Sequence, residues 1–163
     1  MLALLIATAM LAVPASAAEF ARPAGPILLS LTGKIGAMNS DKAALFDEGM
    51  LSSLPRHQIV TSSPWTEGIK RFEGFRLKDL LDKVSPAGSI LRAEGINGYR
   101  IDIPISDAEE FGVLIASRMD GKPLLRRDKG PLWIVYPRDA VAALQIDRYD
   151  SRWVWQLDKI EIR

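Results

Sequence analysis

The sequence has no cysteine and only one histidine among its 163 residues. The lack of Cys excludes disulfides, iron–sulfur clusters, thiolate zinc sites and thiol nucleophiles. One His excludes any metal site built from several imidazoles. The net charge of +1 gives none of the basic excess typical of a nucleic-acid binder. These absences leave a globular domain whose chemistry depends on hydroxyls, carboxylates, Arg and Lys, or a bound cofactor.

The N-terminus carries no charged side chain before Glu19. The apolar stretch Leu2–Val13 is too short to span about 30 Å of hydrocarbon, and small residues follow it up to Ala17. This pattern predicts a secretory signal peptide at 1–17, cleaved from a single domain at 18–163. We therefore expect a periplasmic or otherwise extracytoplasmic protein with no membrane span in the mature chain. An N-terminal core helix is the alternative.

The rest of the chain predicts a mostly β domain with short helices. Apolar or alternating stretches predict the strands: Ile27–Leu31, Gln58–Ser62, Ser89–Glu94, Tyr99–Ile103, Val113–Ser117, Pro131–Tyr136 and Val154–Ile162. Helical spacing predicts helices at Lys42–Leu51, capped by Asp41, and at Leu77–Val84. A capping box predicts a short helix after Ser106, and 63–68 is expected to be a loop.

The sequence lacks the Gly-rich phosphate loops and the GxSxG nucleophile elbow. His57 is the only possible imidazole base, and Ser62 or Ser63 could join it in a hydrolase. That hypothesis depends on residue type alone. The alternative for His57 is a polar residue at the start of a strand.

Three stretches of sequence resemble one known family in their order and spacing. They are Ile59–Gly68 with Phe72–Leu81, Leu114–Leu124 with Lys129–Pro137, and Arg152–Ile162. Together they read GFxLxxLL, LIAxxxDGxPL, GPLWIVYP and WxxxLxxIxI, and they resemble the sulfite-oxidase-type molybdopterin-binding domain, especially its small exported single-domain members. The resemblance implies an α+β fold, mostly β, with a mixed sheet that surrounds a pterin cofactor.

This chain departs from the family pattern where the resemblance implies cofactor contacts. Enzymes of the family hold molybdenum through one Cys, at a position that corresponds to Thr61, or to Ser62 in the alternative register. A hydroxyl is far less acidic than a thiol. Lys129 stands where a His is common, Trp133 where an Arg is frequent, and Arg152 where a Lys helps to hold the cofactor phosphate.

Basic and aromatic residues near these positions suggest an anion site. Arg forks suit phosphate or carboxylate, and aromatic rings can stack on a flat ligand. The basic candidates are Lys122, Arg126, Arg127, Lys129, Arg138, Arg148 and Arg152, and the aromatic ones are Trp65, Trp133, Tyr136, Tyr149 and Trp153. The alternatives are a solvated basic hairpin and Trp residues that pack in the core.

We predict the cofactor- or ligand-binding residues Thr61, Ser62, Trp65, Arg127, Lys129 and Arg152, with no catalytic and no metal-ligating residue. The predicted function is a non-catalytic binding or sensory module for a small anionic ligand, a pterin or a protein partner. We expect either no cofactor or molybdopterin without Cys ligation. The alternative is a molybdopterin-dependent oxidoreductase with a non-Cys metal environment.

Overall fold

The computed structural model describes residues 20–163. The predicted signal peptide at 1–17 lies outside them. The strands are β1 (Ile27–Gly33), β2 (Ala43–Asp47), β3 (His57–Ser63), β4 (Thr66–Arg76), β5 (Ile90–Gly95), β6 (Arg100–Pro104), β7 (Leu114–Met119), β8 (Lys122–Pro123), β9 (Trp133–Val135) and β10 (Leu157–Ile162). The helices are α1 (Glu48–Ser52), α2 (Leu77–Val84), α3 (Asp107–Glu110) and α4 (Asp147–Asp150), with a 3-10 turn at Ala142–Leu144. The prediction of a mostly β domain with short helices is confirmed.

The strands form two sheets. The first has the order β2-β1-β10-β5-β6. It is mixed, because β1 and β10 run parallel, with Leu31 opposite Ile160, while the other pairs are antiparallel. The second has the order β3-β4-β7-β8, and β9 also pairs with β7.

An aromatic cluster lies in the core beside the second sheet. Phe72 of β4 lies edge-on to Trp133 of β9, with ring centroids 5.3 Å apart, and to Trp153, at 6.0 Å. All three side chains are buried. Each buried aromatic ring removes a large apolar area from water, so this cluster makes a strong contribution to the core.

Helix α2 has the predicted bounds. Its apolar positions Leu77, Leu80, Leu81 and Val84 are all buried. The spacing of three and four residues places these side chains on one face of the helix. Ser85 ends the helix in the left-handed conformation, with φ of 50°.

The helix predicted at Lys42–Leu51 is wrong over its first half. Ala43–Asp47 is strand β2, in which Ala44 and Phe46 are buried with a period of two against β1. The helix is only α1, and its cap is Asp47 instead of Asp41, because the Asp47 carboxylate accepts the Met50 N–H at 2.9 Å.

Two further local predictions are corrected. Strand β4 begins at Thr66, and Ser63 pairs with Thr66, so the predicted loop is a tight turn at Pro64 and Trp65. Helix α3 follows Ser106 as expected, but the Ser106 side chain makes no capping hydrogen bond. Among residues 20–163, no helix is long and apolar enough to cross a membrane.

Candidate functional site

Thr61 lies near the end of β3 and is completely buried. Its Oγ1 accepts a hydrogen bond from the backbone N–H of Asp139 at 3.0 Å and donates one to the carbonyl of Ser62 at 3.2 Å. Asp139 lies in the loop after β9. The resemblance assigns the metal ligand to the position of Thr61. The hydroxyl at this position instead joins β3 to the loop after β9.

Ser62 completes the same connection. Its backbone N–H and its Oγ–H each donate to the Asp139 carboxylate at 2.6 Å. These hydrogen bonds, the side-chain one first, hold the pKa of Asp139 below its ordinary value, because they stabilise the ionised form. We call Thr61, Ser62 and Asp139 the clasp.

Trp65 stands at the tip of the β3–β4 turn and is 42% exposed. Its ring lies edge-on to that of Trp155, with centroids 5.2 Å apart. The Lys129 ammonium lies 5.4 Å from the Trp155 ring centroid and 5.7 Å from that of Trp133. These distances are within cation–π range, so the rings of Trp133 and Trp155 hold the Lys129 ammonium. Trp65 lies next to them through its contact with Trp155.

Three of the predicted residues, Trp65, Arg127 and Lys129, line one cleft of about 900 Å³. We call it the Lys129 cleft. Its charged lining includes cations and carboxylates: Lys70, Lys122, Arg127, Lys129, Glu67, Asp120 and Asp128. Lys70 pairs with Asp120 at 3.3 Å. Lys122, Arg127 and Lys129 make no ion pair within residues 20–163, so their charges are available to an anion.

Gln156 holds the segment that carries these cations, and sequence reasoning missed it. Its backbone N–H donates to the carbonyl of Lys129 at 3.0 Å, and its side-chain amide donates to that of Arg126 at 2.6 Å. Gln156 has a φ of 52°, which is unusual for a residue other than Gly. Nothing in the sequence around Gln156 indicates this conformation or these long-range bonds.

Arg152 is not in the Lys129 cleft. Its guanidinium pairs with the buried carboxylate of Asp107 at 2.5 Å and stacks on the ring of Tyr149. Tyr136 donates its hydroxyl proton to the same carboxylate at 2.8 Å. Burial, and then the charge of Asp107, raise the pKa of Tyr136 far above its ordinary value. Arg152 thus neutralises a buried acid instead of facing the cleft.

The other candidates also have partners within the fold. Arg138 donates to Asp150 at 3.0 Å, and Arg148 lies over the ring of Tyr149. Trp133 and Tyr136 are completely buried, so neither presents a ring face to a ligand from solvent. Core packing, the alternative considered for the Trp residues, describes both Trp133 and Trp153, which is only 1% exposed.

His57 is at the start of β3, away from the predicted serine partners. Its Nδ1 accepts from Arg76 at 3.4 Å, and its Nε2 lies 3.5 Å from the carboxylate of Asp79. Ser63 bonds instead to Thr66 at 2.8 Å. A catalytic base needs to be within hydrogen-bond reach of its nucleophile, and this geometry gives no support to the hydrolase hypothesis.

The clasp does not fit a protein-bound molybdenum. The Thr61 and Ser62 hydroxyls already bond within the clasp, and neither supplies the soft thiolate ligand. Within residues 20–163 no group of three or more His, Asp or Glu side chains could hold a metal ion. The Lys129 cleft, with its cations and exposed indole, suits the organic and anionic parts of such a cofactor.

The mixed sheet and short helices define a mostly β domain with a cleft beside the β3–β4 turn. Residues 49–146 match the family described as oxidoreductase molybdopterin binding domain, of the sulfite oxidase type. That segment is more than half of the chain, and the chain belongs to this family. The predicted resemblance and fold class are thereby confirmed. No curated protein matches the chain.

Proposed function

We propose that this molybdopterin-binding-like domain is a non-catalytic binding or sensory module that acts outside the cytoplasm. Its ligand is a small molecule with a flat ring and an anionic group, such as a pterin, and it binds in the Lys129 cleft. The observation that carries the proposal is the clasp, because the Thr61 hydroxyl, at the implied ligand position, is bonded to Asp139.

The cleft supplies the two interactions that such a ligand needs. Trp65 offers a half-exposed ring for stacking. Lys129, Lys122 and Arg127 supply positive charge without an ion-pair partner in the described chain, and Arg127 can bind a carboxylate or phosphate with two parallel hydrogen bonds. A protein partner with an exposed acidic group would use the same cations.

The first experiment separates this proposal from the oxidoreductase alternative. The chain is expressed in a host that makes molybdopterin, and the purified protein is analysed for molybdenum and for pterin fluorescence. We expect no stoichiometric molybdenum. One molybdenum per chain would overturn the proposal and favour a redox enzyme with a non-Cys metal environment.

The second experiment tests the site itself. Pterin-6-carboxylate, a flat and anionic probe, is titrated while tryptophan fluorescence is recorded. We expect saturable quenching, and Lys129→Gln should weaken binding by about tenfold, since a charge-assisted contact is lost. Lys159→Gln, on β10 of the other sheet, is the matched control and should leave the affinity unchanged. Equal affinities for the parent and Lys129→Gln would contradict this assignment.

A further inference from the structure

A second cavity lies beside the β3–β4 turn and is distinct in chemistry from the Lys129 cleft. It has a volume of about 310 Å³, and Trp65 lines both. Most of its walls are rings: Pro64, Trp65, Tyr99, Trp153 and Trp155. We call it the aromatic cavity.

The walls of the aromatic cavity are fixed by contacts within the fold. Trp65 and Trp155 lie edge to face, with centroids 5.2 Å apart. Tyr99 is held across from α4, because its hydroxyl donates to the carbonyl of Ser151 at 2.7 Å. Trp153 packs on Trp133 in the core, with centroids 5.8 Å apart. A ligand would therefore enter a site that is formed before it binds, which reduces the entropic cost of binding.

The charge of the aromatic cavity is negative. Two carboxylates line it, those of Asp147 and Asp150, and none of its lining residues is Lys or Arg. Asp150 is neutralised by Arg138 at 3.0 Å. Asp147 is exposed and makes no ion pair within residues 20–163. The Trp155 ring already carries the Lys129 ammonium at 5.4 Å. The rings of Trp65 and Tyr99 and the uncompensated carboxylate of Asp147 favour a second cation.

Apart from the carboxylates of Asp147 and Asp150, the cavity has few groups left for hydrogen bonding. The Tyr99 hydroxyl proton and the Ser151 carbonyl are bonded to each other, and the Ser151 hydroxyl donates to the carbonyl of Arg148 at 2.9 Å. A primary ammonium would lose water from three N–H donors, and it would find few acceptors besides the Asp147 carboxylate. A quaternary ammonium has no N–H donor, so it leaves no hydrogen bond unmade.

We propose that the aromatic cavity binds a quaternary ammonium group, held by the rings of Trp65 and Tyr99 and by the charge of Asp147. This site shares the Trp65 side chain with the proposed anion site, but its other lining residues differ and it takes a ligand of opposite charge. It assigns the cavity to a different class of ligand from the one the family implies.

The test uses choline and its uncharged isostere 3,3-dimethylbutan-1-ol, which differ chiefly in charge. Each is titrated against the purified chain while tryptophan fluorescence and two-dimensional NMR are recorded. We expect choline to bind at least tenfold more tightly than the alcohol. Asp147→Asn should weaken choline severalfold with no change for the alcohol, and Tyr99→Leu should weaken it about tenfold.

Glu161→Gln is the control for Asp147→Asn, because it removes an exposed carboxylate on β10 that does not line the aromatic cavity. It should bind choline as the parent does. The thermal unfolding of each variant shows whether it is folded. Equal affinity for choline and the alcohol would overturn the proposal, as would choline binding unchanged in Asp147→Asn or no binding of choline.

Discussion

Ser62 and Asp139 lie 77 positions apart in the chain and are joined by two hydrogen bonds of 2.6 Å each. One donor is the backbone N–H of Ser62 and the other is its hydroxyl. In addition, the Thr61 hydroxyl oxygen accepts a hydrogen bond from the backbone N–H of Asp139. The clasp thus ties β3 of the second sheet to the loop after β9, next to the turn that carries Trp65.

The first prediction concerns the strength of the clasp. Ser62→Ala removes one hydrogen bond to a carboxylate, and Asp139→Ala removes both. Each should lower the free energy of unfolding by about 1 kcal/mol or somewhat more, since Asp139 is exposed and part of its interaction is exchanged for water. Urea denaturation measures both variants and the double variant.

The double variant is the control for a direct interaction. If Ser62 and Asp139 act through one another, the loss in the double variant is smaller than the sum of the two single losses. Strict additivity would contradict the clasp as a coupled unit. Ser53→Ala, at an exposed serine that bonds to Met50, provides the reference for loss of a local surface hydrogen bond.

The second prediction is a pH dependence of stability from Asp139. Its pKa is lower in the folded protein than the ordinary 3.8, chiefly because of the hydrogen bonds from Ser62. The ionised carboxylate therefore stabilises the fold at pH values above 3.8, and this stabilisation is lost as the pH falls towards the lower pKa of the folded state.

Asp139→Asn is the variant that tests this dependence. The difference in unfolding free energy between the parent and Asp139→Asn should be largest at neutral pH and smaller at about pH 3, where protonation begins to remove the same interaction from the parent. Urea denaturation at both pH values measures it. A difference that grows on acidification would contradict the assigned direction of the pKa shift.

Local sequence patterns correctly predicted the secondary-structure elements that are determined by neighbouring residues in the chain. Helix α2 has its predicted bounds because four apolar residues at helical spacing bury one face. Strand β2 did not follow from its pattern, because Leu45 and Phe46 fit a short apolar helix face equally well. Its pairing with β1 and the inward alternation of Ala44 and Phe46 decide the conformation, and both depend on the tertiary fold.

The candidate site could be predicted only in part, because several of its contacts depend on the tertiary fold. Trp65 and Lys129 share a cleft, as the resemblance implies. The partners of Arg152 and Ser62, by contrast, lie 45 and 77 positions away. Charge and residue type indicate that an Arg can bind an anion, but only the fold shows that Arg152 already holds the carboxylate of Asp107.

The third prediction concerns Arg152. Arg152→Ala leaves the Asp107 carboxylate, which is only 3% exposed, without its cation. Removing one partner of a buried ion pair costs about 3–5 kcal/mol, so the variant should unfold at much lower urea concentration. Asp107→Asn with Arg152→Ala should recover part of the loss, since no buried charge remains unpaired.

Arg152→Ala also separates a structural role from a binding role. At a temperature where the variant is still folded, its affinity for pterin-6-carboxylate should match that of the parent, because Arg152 does not line the Lys129 cleft. A large loss of affinity with little change in stability would reassign Arg152 to the ligand site. Circular dichroism shows the folded fraction in the same samples.

The last prediction compares two glycines in β4. A Cβ at Gly74 would meet the carbonyl oxygen of Ile115 at 2.0 Å and Cα of Ala116 at 2.8 Å. These are backbone atoms of β7, so they cannot move aside without breaking the pairing between the two strands.

Gly68 has a φ of 68° but no neighbouring atom within 4 Å of a Cβ. Gly68→Ala should therefore cost about 1 kcal/mol of backbone strain. Gly74→Ala should cost several times more, or prevent folding. Similar urea midpoints for the two variants would show that β4 and β7 can separate to admit a methyl group.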